Sequence, residues 1–484
     1  MRLNHLPGVL VILVFLSLLF LRLGILDERK GNQRESLSAA NAWSDRENWM
    51  NIFQQDQKIG HAHRQFFETP DGYRILESVV MRINMMGMVQ DISLRTEGNF
   101  DYDFLLSSFY FELQSNLFGF TARGIRKDKT LTLFTGKGGS EQRFDYPFEK
   151  ETYLSLGMLD LVYRNLKMGE SRTIDIFDPA TAAKRPVRIE MVGEETIPIM
   201  GRQEKSRKIL IQLMSLSQYV WIDEDGTVLK EEGPLGIRLV RVSKDDALGR
   251  IAGLQSRDLV EVASIPSNRV LGSPGELSLL RVRLDGIEGG EVLLQGGRQS
   301  LKDGVLTVRK ETISGHSSMR KEAGPEEKGY LLPSPLIQSD HAEIRAKAME
   351  IVSANDSPFE KAKKLVAWVT KSIEKRPVLS VPDALETLRA RMGDCNEHAV
   401  LLAALARASG IPAQVEAGLV YQEGRFYYHA WNLLFLGTWV TADAVMGQMP
   451  ADVSHIRFVR STENQIDLVG LIGKVRLEVL EASP

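Results

Sequence analysis

Cysteine is almost missing from this chain of 484 residues: there is one, Cys395. A single thiol excludes an internal disulfide and any Cys-rich zinc module. An excess of charge is missing too. Lys and Arg total 60 against 63 Asp and Glu, a net charge of -3, so nothing points to a nucleic-acid partner. Nor does the composition read as disordered: hydrophobic residues make up 43% and charged residues 25%, the proportions of globular domains. The length asks for more than one such domain.

One long hydrophobic run is present. Residues 7–26, PGVLVILVFLSLLFLRLGIL, are apolar apart from Arg22. About 20 apolar residues cross a bilayer, and Arg22 can snorkel to the interface. The DERKGNQRES that follows offers no small-residue cleavage site. A retained transmembrane helix is therefore expected within residues 1–26, followed by a polar linker at 27–48. Arg2 precedes the span and Arg29, Lys30 and Arg34 follow it, so the basic residues do not by themselves favour export. A short tail before a first span usually stays inside. The expectation is a single-pass protein of the inner (cytoplasmic) membrane with a periplasmic body.

Residues 49–248 read as an antiparallel, β-rich domain. YRILESVVMRIN (73–84), DISLRTEGNF (91–100) and SFYFEL (108–113) alternate with period two, and Pro70-Asp71-Gly72 is a turn between two such runs. A helix is expected over 153–166. WIDEDGTVLKEE (221–232) reads as strand, turn, strand; its DEDG lacks the later ligands of a calcium loop. His61 and His63 share one strand face, which reads as an exposed face and not as half of a metal site. Residues 249–312 hold short strands between Gly-containing turns, a small β-domain or an extension of the first. Residues 313–339, rich in Gly, Pro and Ser without periodicity, read as a linker.

From residue 340 the period becomes helical. Asp340 is a candidate N-cap for HAEIRAKAMEIV. Ser357 and Glu360, with Pro358 between them, form a capping box for the next helix. PDALETLRAR is a third, leading to Met392-Gly393-Asp394-Cys395. The helix NEHAVLLAALARAS follows, closed by Gly410. Cys395 thus stands at a helix start, where the dipole favours a thiolate and free N–H groups can hold an oxyanion. Strands over 414–421 and 425–435 follow, then a Leu436-Gly437-Thr438 turn and WVTAD (439–443). If Phe435 pairs with Trp439, Trp431 lies opposite Asp443, and His429 and Asp443 become diagonal neighbours on one face. His429 then takes the Cys395 proton, and Asp443 orients the imidazole.

GDCNEHAVLLAALARASGIPAQVEAGLVY and YYHAWNLLFLGTWVTADAVMGQ resemble the core of bacterial transglutaminase-like proteins. The shared pattern is G-x-C before a helix, G-I-P-A, H-A-W on a strand, and W followed closely by D. The resemblance covers about residues 340–460 and leaves 461–484 as a C-terminal strand or tail. It implies a papain-like α+β domain with Cys395 as nucleophile, His429 as base and Asp443 as third member, and calls for no metal or other cofactor. One departure is that D-P-T is often found after the tryptophan, where this chain has Asp443-Ala444-Val445. Overall, the fold class expected is α+β: a membrane helix, a β-rich N-terminal region and a C-terminal transglutaminase-like domain.

The function expected is a membrane-anchored cysteine enzyme acting on amide bonds of a protein or peptide substrate through a thioester. The acceptor can be an amine or water. Trp431 and Trp439 are expected to pack around the three residues, while Asp394 and Asn396 either shape substrate entry or cap the helix. Two other readings compete. One is a non-catalytic envelope scaffold that binds through the β-rich region. The other is a zinc site built from Cys395, His398, His429 and Asp443, whose spacing fits the cysteine-enzyme pattern better.

Overall fold

A computed structural model describes residues 46–484, except residues 86, 117, 137–140, 149–151, 179–182, 214–215, 252–257, 288–291, 313–322, 379–380, 382 and 462–470. The expected membrane helix and most of the expected linker at 27–48 lie outside the described residues. Among the described residues no helix is long and apolar enough to cross a membrane. The described chain forms two compact units, one of residues 46–258 together with Val381 and the other of the remaining residues from 259 to 484.

The first unit is built on a 15-stranded sheet. From Arg46–Gln54, strands pair antiparallel with their sequence neighbours out to Gln142–Pro147. On the other side of Arg46–Gln54 lies Ile237–Val242, and successive hairpins lead back to Ser171–Asp178, with Thr152–Tyr153 parallel at the edge. Alternation makes these strands. In Met88–Phe100, Ile92 and Leu94 are buried while Asp91, Ser93 and Arg95 are exposed, so one face meets the core and the other meets water. Turn chemistry sets the hairpins. Met200 and Gly201 both have positive φ, 50° and 76°, the two-residue turn that suits strand twist. Gly72 has φ 146°, and a Cβ there would meet the Phe100 carbonyl at 2.0 Å. The helix Ser155–Asn165 packs on this sheet. Its buried Asp160 accepts from Arg46 at 2.6 Å and from Arg64. Asp223 of the DEDG turn accepts backbone N–H bonds from Asp225 and Thr227 at 3.0 and 2.8 Å, which commits it to the turn. His63 stacks on Trp49 and bonds Glu47.

The second unit is α+β. Helices Ala342–Ile351, Pro358–Ser372 and Ala384–Ala390 pack around a central helix, Cys395–Ala408. Residues 395–407 of that helix are buried on every side, as expected of a helix with few polar side chains. The capping box of Ser357 and Glu360 is present. The first helix is capped differently from the sequence expectation. His341, not Asp340, is its N-cap, with Nδ1 accepting from the Glu343 N–H at 3.3 Å.

The central helix lies on a sheet in which Ala413–Gln422 pairs with Arg425–Phe435 and with Ile456–Ser461, and Trp439–Ala442 extends Arg425–Phe435. A four-stranded sheet orders Gln299–Lys302, Val305–Arg309, Leu279–Asp285 and Arg476–Ser483. The short strands before residue 312 are thus joined to the end of the chain, and Arg476–Ser483 is a paired strand. The segment expected as a linker at 313–339 is not one where it is described: Leu336, Ile337, Gln338 and Ser339 are buried. Gln338 bonds the Leu385 N–H and Asp383, which seats that segment against the start of the third helix.

Candidate active site

The helix start places Cys395. Asp394 is the N-cap, and its side chain accepts from the Asn396 N–H at 2.8 Å. Glu397 returns the favour to the Asp394 N–H at 3.0 Å, completing a capping box. Asp394 and Asn396 are therefore held in the cap, and the Cys395 N–H is the first-turn donor that the cap leaves alone. Gly393 does not have a positive φ. What it supplies is room, since a Cβ there would come within 2.3 Å of the Glu397 Cβ.

The hairpin places the other two residues. Phe435 pairs with Trp439 and Asn432 with Ala442, the register that the turn at 436–438 demands. It brings His429 Nε2 to 2.7 Å from Asp443 Oδ2. Asp443 is itself held by backbone. Its N–H and C=O both bond Gln448 at 2.9 Å, and its Oδ1 accepts from the Val445 and Met446 N–H groups at 2.7 and 3.0 Å. The Ala444-Val445 departure thus leaves the loop after the acid intact. Cys395 Sγ lies against the backbone N–H of Ala430, next to His429. His429 Nδ1 is buried without a hydrogen-bond partner among the described residues.

Trp431 packs on the histidines of this cluster, and Trp439 packs elsewhere. The Trp431 ring is 6.1 Å from that of His429 and 5.1 Å from that of His455, and its Nε1 donates to buried Glu416 at 2.9 Å. Trp439 packs on Tyr330 and Phe435 at the turn end of the hairpin. His398 is turned into its own helix, with Nδ1 2.6 Å from the Asp394 carbonyl. Burial lowers its pKa to about 4, so it is neutral at physiological pH.

Two residues escaped the sequence. His455 Nε2 lies 2.9 Å from Asp443 Oδ2, and its Nδ1 lies 3.2 Å from Asp452 Oδ1. The loop carrying them is moulded by Arg298, which donates to the carbonyls of Ala451, Asp452 and His455 at 2.5, 2.9 and 3.0 Å. The only available signal was polar, Asp-x-x-His after a proline, with no periodicity to mark it. The nitrogens of His429 and His455 and an Asp443 oxygen lie within 4.8 Å of one another, close enough for a metal site. Both imidazoles converge on one carboxylate oxygen at hydrogen-bond distances, however. That is a hydrogen-bonded trio, not ligands spread around a common centre about 2 Å from each.

Electrostatics set the resting state. Burial pushes the Cys395 thiol well above its ordinary pKa, and the nearby Asp394 carboxyl adds to the rise, while the Ala430 N–H opposes it. The helix-start preference for a thiolate is outweighed, so the thiol rests neutral. Asp394 is pushed up by burial and by Glu397. Burial works against charge on Asp443 as well, but His429 and His455 together hold it well below the usual carboxylate range. An ionised Asp443 needs N–H donors, which places the His429 proton on Nε2 and leaves a lone pair on Nδ1. Cys395 is 1% exposed and His429 and Asp443 are 0%, so a reacting acyl group reaches Sγ only after covering atoms move.

Residues 345–444 match the family model of the transglutaminase-like superfamily, and the chain carries a transglutaminase-like domain there. Among solved structures, the chain is similar to a candidate cysteine protease from Cytophaga hutchinsonii, at 16% identity over 42% of this chain and 81% of that one, TM-score 0.28. It is also similar to a β-barrel-like domain of unknown function from Brucella abortus, at 13% identity over 41% of this chain and 95% of that one, TM-score 0.33. A candidate protease from Parabacteroides distasonis aligns at 11% identity over 81% of this chain and 68% of that one, TM-score 0.20. No curated protein matches the sequence.

Proposed function

We propose that this protein is a cysteine enzyme that acts on amide bonds of a protein or peptide through a thioester on Cys395, anchored to the inner membrane by residues 7–26 with its body on the periplasmic side. The observation that carries the chemistry is the buried, unpartnered Nδ1 of His429, in a ring whose other nitrogen is tied to Asp443 and whose chain neighbour, Ala430, gives its backbone N–H to Cys395. The thiol proton passes to that nitrogen, and Sγ attacks the amide carbonyl. The tetrahedral oxyanion collapses, the C–N bond breaks, and the leaving amine takes the proton from His429. An amine or water then gives its proton to His429 and attacks the thioester. Sγ leaves as a thiolate and is reprotonated.

The test is mass spectrometry of the full chain after incubation with peptides. A mass gain on Cys395, equal to the peptide less the amine it loses and reversed by water or an added amine, is the expected result. Release by water alone marks a hydrolase, and faster release by an amine marks a transferase. If alkylation of Cys395 follows an ordinary thiol pKa and is unchanged in His429→Ala, the activated pair does not exist.

A second reading, an envelope scaffold without turnover, is favoured by the full burial of the thiol. A Cys395→Ala strain with an unaltered phenotype would favour it over the enzyme.

A further inference from the structure

His455 faces a carboxylate on each ring nitrogen: Asp443 Oδ2 at 2.9 Å from Nε2 and Asp452 Oδ1 at 3.2 Å from Nδ1. A neutral imidazole carries one N–H. Whichever nitrogen lacked it would set a lone pair against a carboxylate oxygen, inside a site where both groups are buried. The surroundings of both carboxylates consist of donors. Asp443 receives Val445, Met446 and His429. Asp452 Oδ1 receives the N–H and hydroxyl of Ser454 at 2.8 and 2.6 Å, and its Oδ2 receives Gln448 Nε2 at 2.9 Å. Both carboxylates are built to stay ionised, and the ring between them to carry two protons.

We infer that His455 is a resident imidazolium and a positioning residue for the reaction proposed above, on which this inference rests: it keeps Asp443 ionised while preventing His429 from holding a second proton at rest. The argument is electrostatic balance. A buried carboxylate paired with one imidazole strongly favours the imidazolium form of that imidazole. A base already protonated cannot accept the thiol proton. His455, its ring 5.8 Å from that of His429, takes up half of the Asp443 oxygen and opposes a second positive charge. The titratable and charged groups that face or flank the His455 ring are Asp443, Asp452, His429 and the Arg298 guanidinium on its carbonyl, while Trp431 meets it edge-on. Burial disfavours the His455 charge, but the bonds from Asp443 and Asp452 push its pKa up to about 9. The neutral His429 that results has an unprotonated Nδ1, the atom found without a partner.

The experiment uses the full chain with ¹⁵N-labelled histidine. In the wild type, one histidine is expected to remain doubly protonated from pH 6 to 8, and its signal to change in Asp452→Asn. His429 is expected to be the singly protonated Nε2–H form at pH 7. In His455→Gln the His429 ¹⁵N signals at pH 7 move toward the doubly protonated pattern, as the loss of a positive charge about 6 Å away requires. The acid limb of Cys395 alkylation by iodoacetamide moves to lower pH by at least about one unit, because the thiolate–imidazolium pair forms more readily. Asp452→Asn moves both in the same direction by less. If His455 is neutral at pH 7, or if His455→Gln only lowers the melting temperature and leaves both profiles in place, the inference is overturned. Should His455→Gln not fold, the wild-type spectrum and Asp452→Asn decide it. Failure of the underlying reading looks different: wild-type Cys395 would then behave as an ordinary thiol indifferent to His429→Ala.

Discussion

Compare the strand Met88–Phe100 in the first unit with Ala413–Gln422 in the second. In the first, buried and accessible residues alternate; in the second, nine successive residues are buried. One face of the first sheet stays wet, and its charges ride there, as in the Arg82–Asp91 pair with side chains 42% and 52% exposed. The second sheet is covered on both faces, so any polar side chain on it must find a partner inside. Glu416 does so with Trp431 and Arg460, and His429 does so with Asp443. The same residue types are thus nearly inert in one sheet and decisive in the other. What separates them is the loss of water as an alternative partner.

That contrast can be broken at several points. The largest effect is expected from Asp443→Asn, which keeps the shape but no longer enforces the Nε2–H form of His429. Acyl transfer to Cys395 should fall by about 10⁴-fold, measured as the rate of the peptide mass shift. A loss under tenfold would mean that burial alone does not make this carboxylate decisive. Next comes Glu416→Ala. It leaves Arg460 and the Trp431 N–H without their partner and should cost about 3–5 kcal/mol of stability in denaturant unfolding.

The pH profile of stability is the third probe. His455 has a folded pKa of about 9, above its unfolded value of 6.5. Its contribution is complete below pH 6.5 and is lost as pH rises through 9, on the order of 3 kcal/mol. His398 runs the other way. Its folded pKa is about 4, so its share is complete above 6.5 and is lost as pH falls toward 4. These two contributions together peak near pH 6.5. The stability gap between wild type and His455→Gln should shrink from pH 6.5 to 9, and that between wild type and His398→Gln should change from pH 6.5 to 4; a gap that stays constant would contradict the corresponding assignment. The smallest effect is expected on the wet sheet: Arg82→Ala should change stability by less than about 1 kcal/mol and leave Cys395 labelling unchanged.

The same contrast governs what the sequence discloses. Alternation over 73–84 and 91–100 announces half-wet strands, and those strands form with one or more extra residues at their ends. Helical spacing marks Leu365, Val366 and Val369, all buried. The register that joins His429 to Asp443 is legible because a short turn leaves the hairpin little choice. His455 is not legible, because it sits in a loop shaped by Arg298, more than 150 residues away in sequence. Asp340 loses the cap to its neighbour, because the helix begins one residue later and the His341 Nδ1 takes the Glu343 N–H, a shift of one position that no residue preference reveals. Trp439 shares a hairpin with the site yet lies at the wrong end of it, a matter of position along the strand and not of residue type.

Strand Arg476–Ser483 pairs with Leu279–Asp285, and Arg281 meets Glu481 across 200 residues of chain. Read in order of synthesis, this pairing acts as a clock. Most hairpins of the first unit join neighbours and can close as they leave the ribosome. The four-stranded sheet, by contrast, waits for a strand made about 200 residues after its partner. Cys395 is already in the chain before Arg476–Ser483 is made, so the sheet that this strand completes closes only after the thiol has been placed.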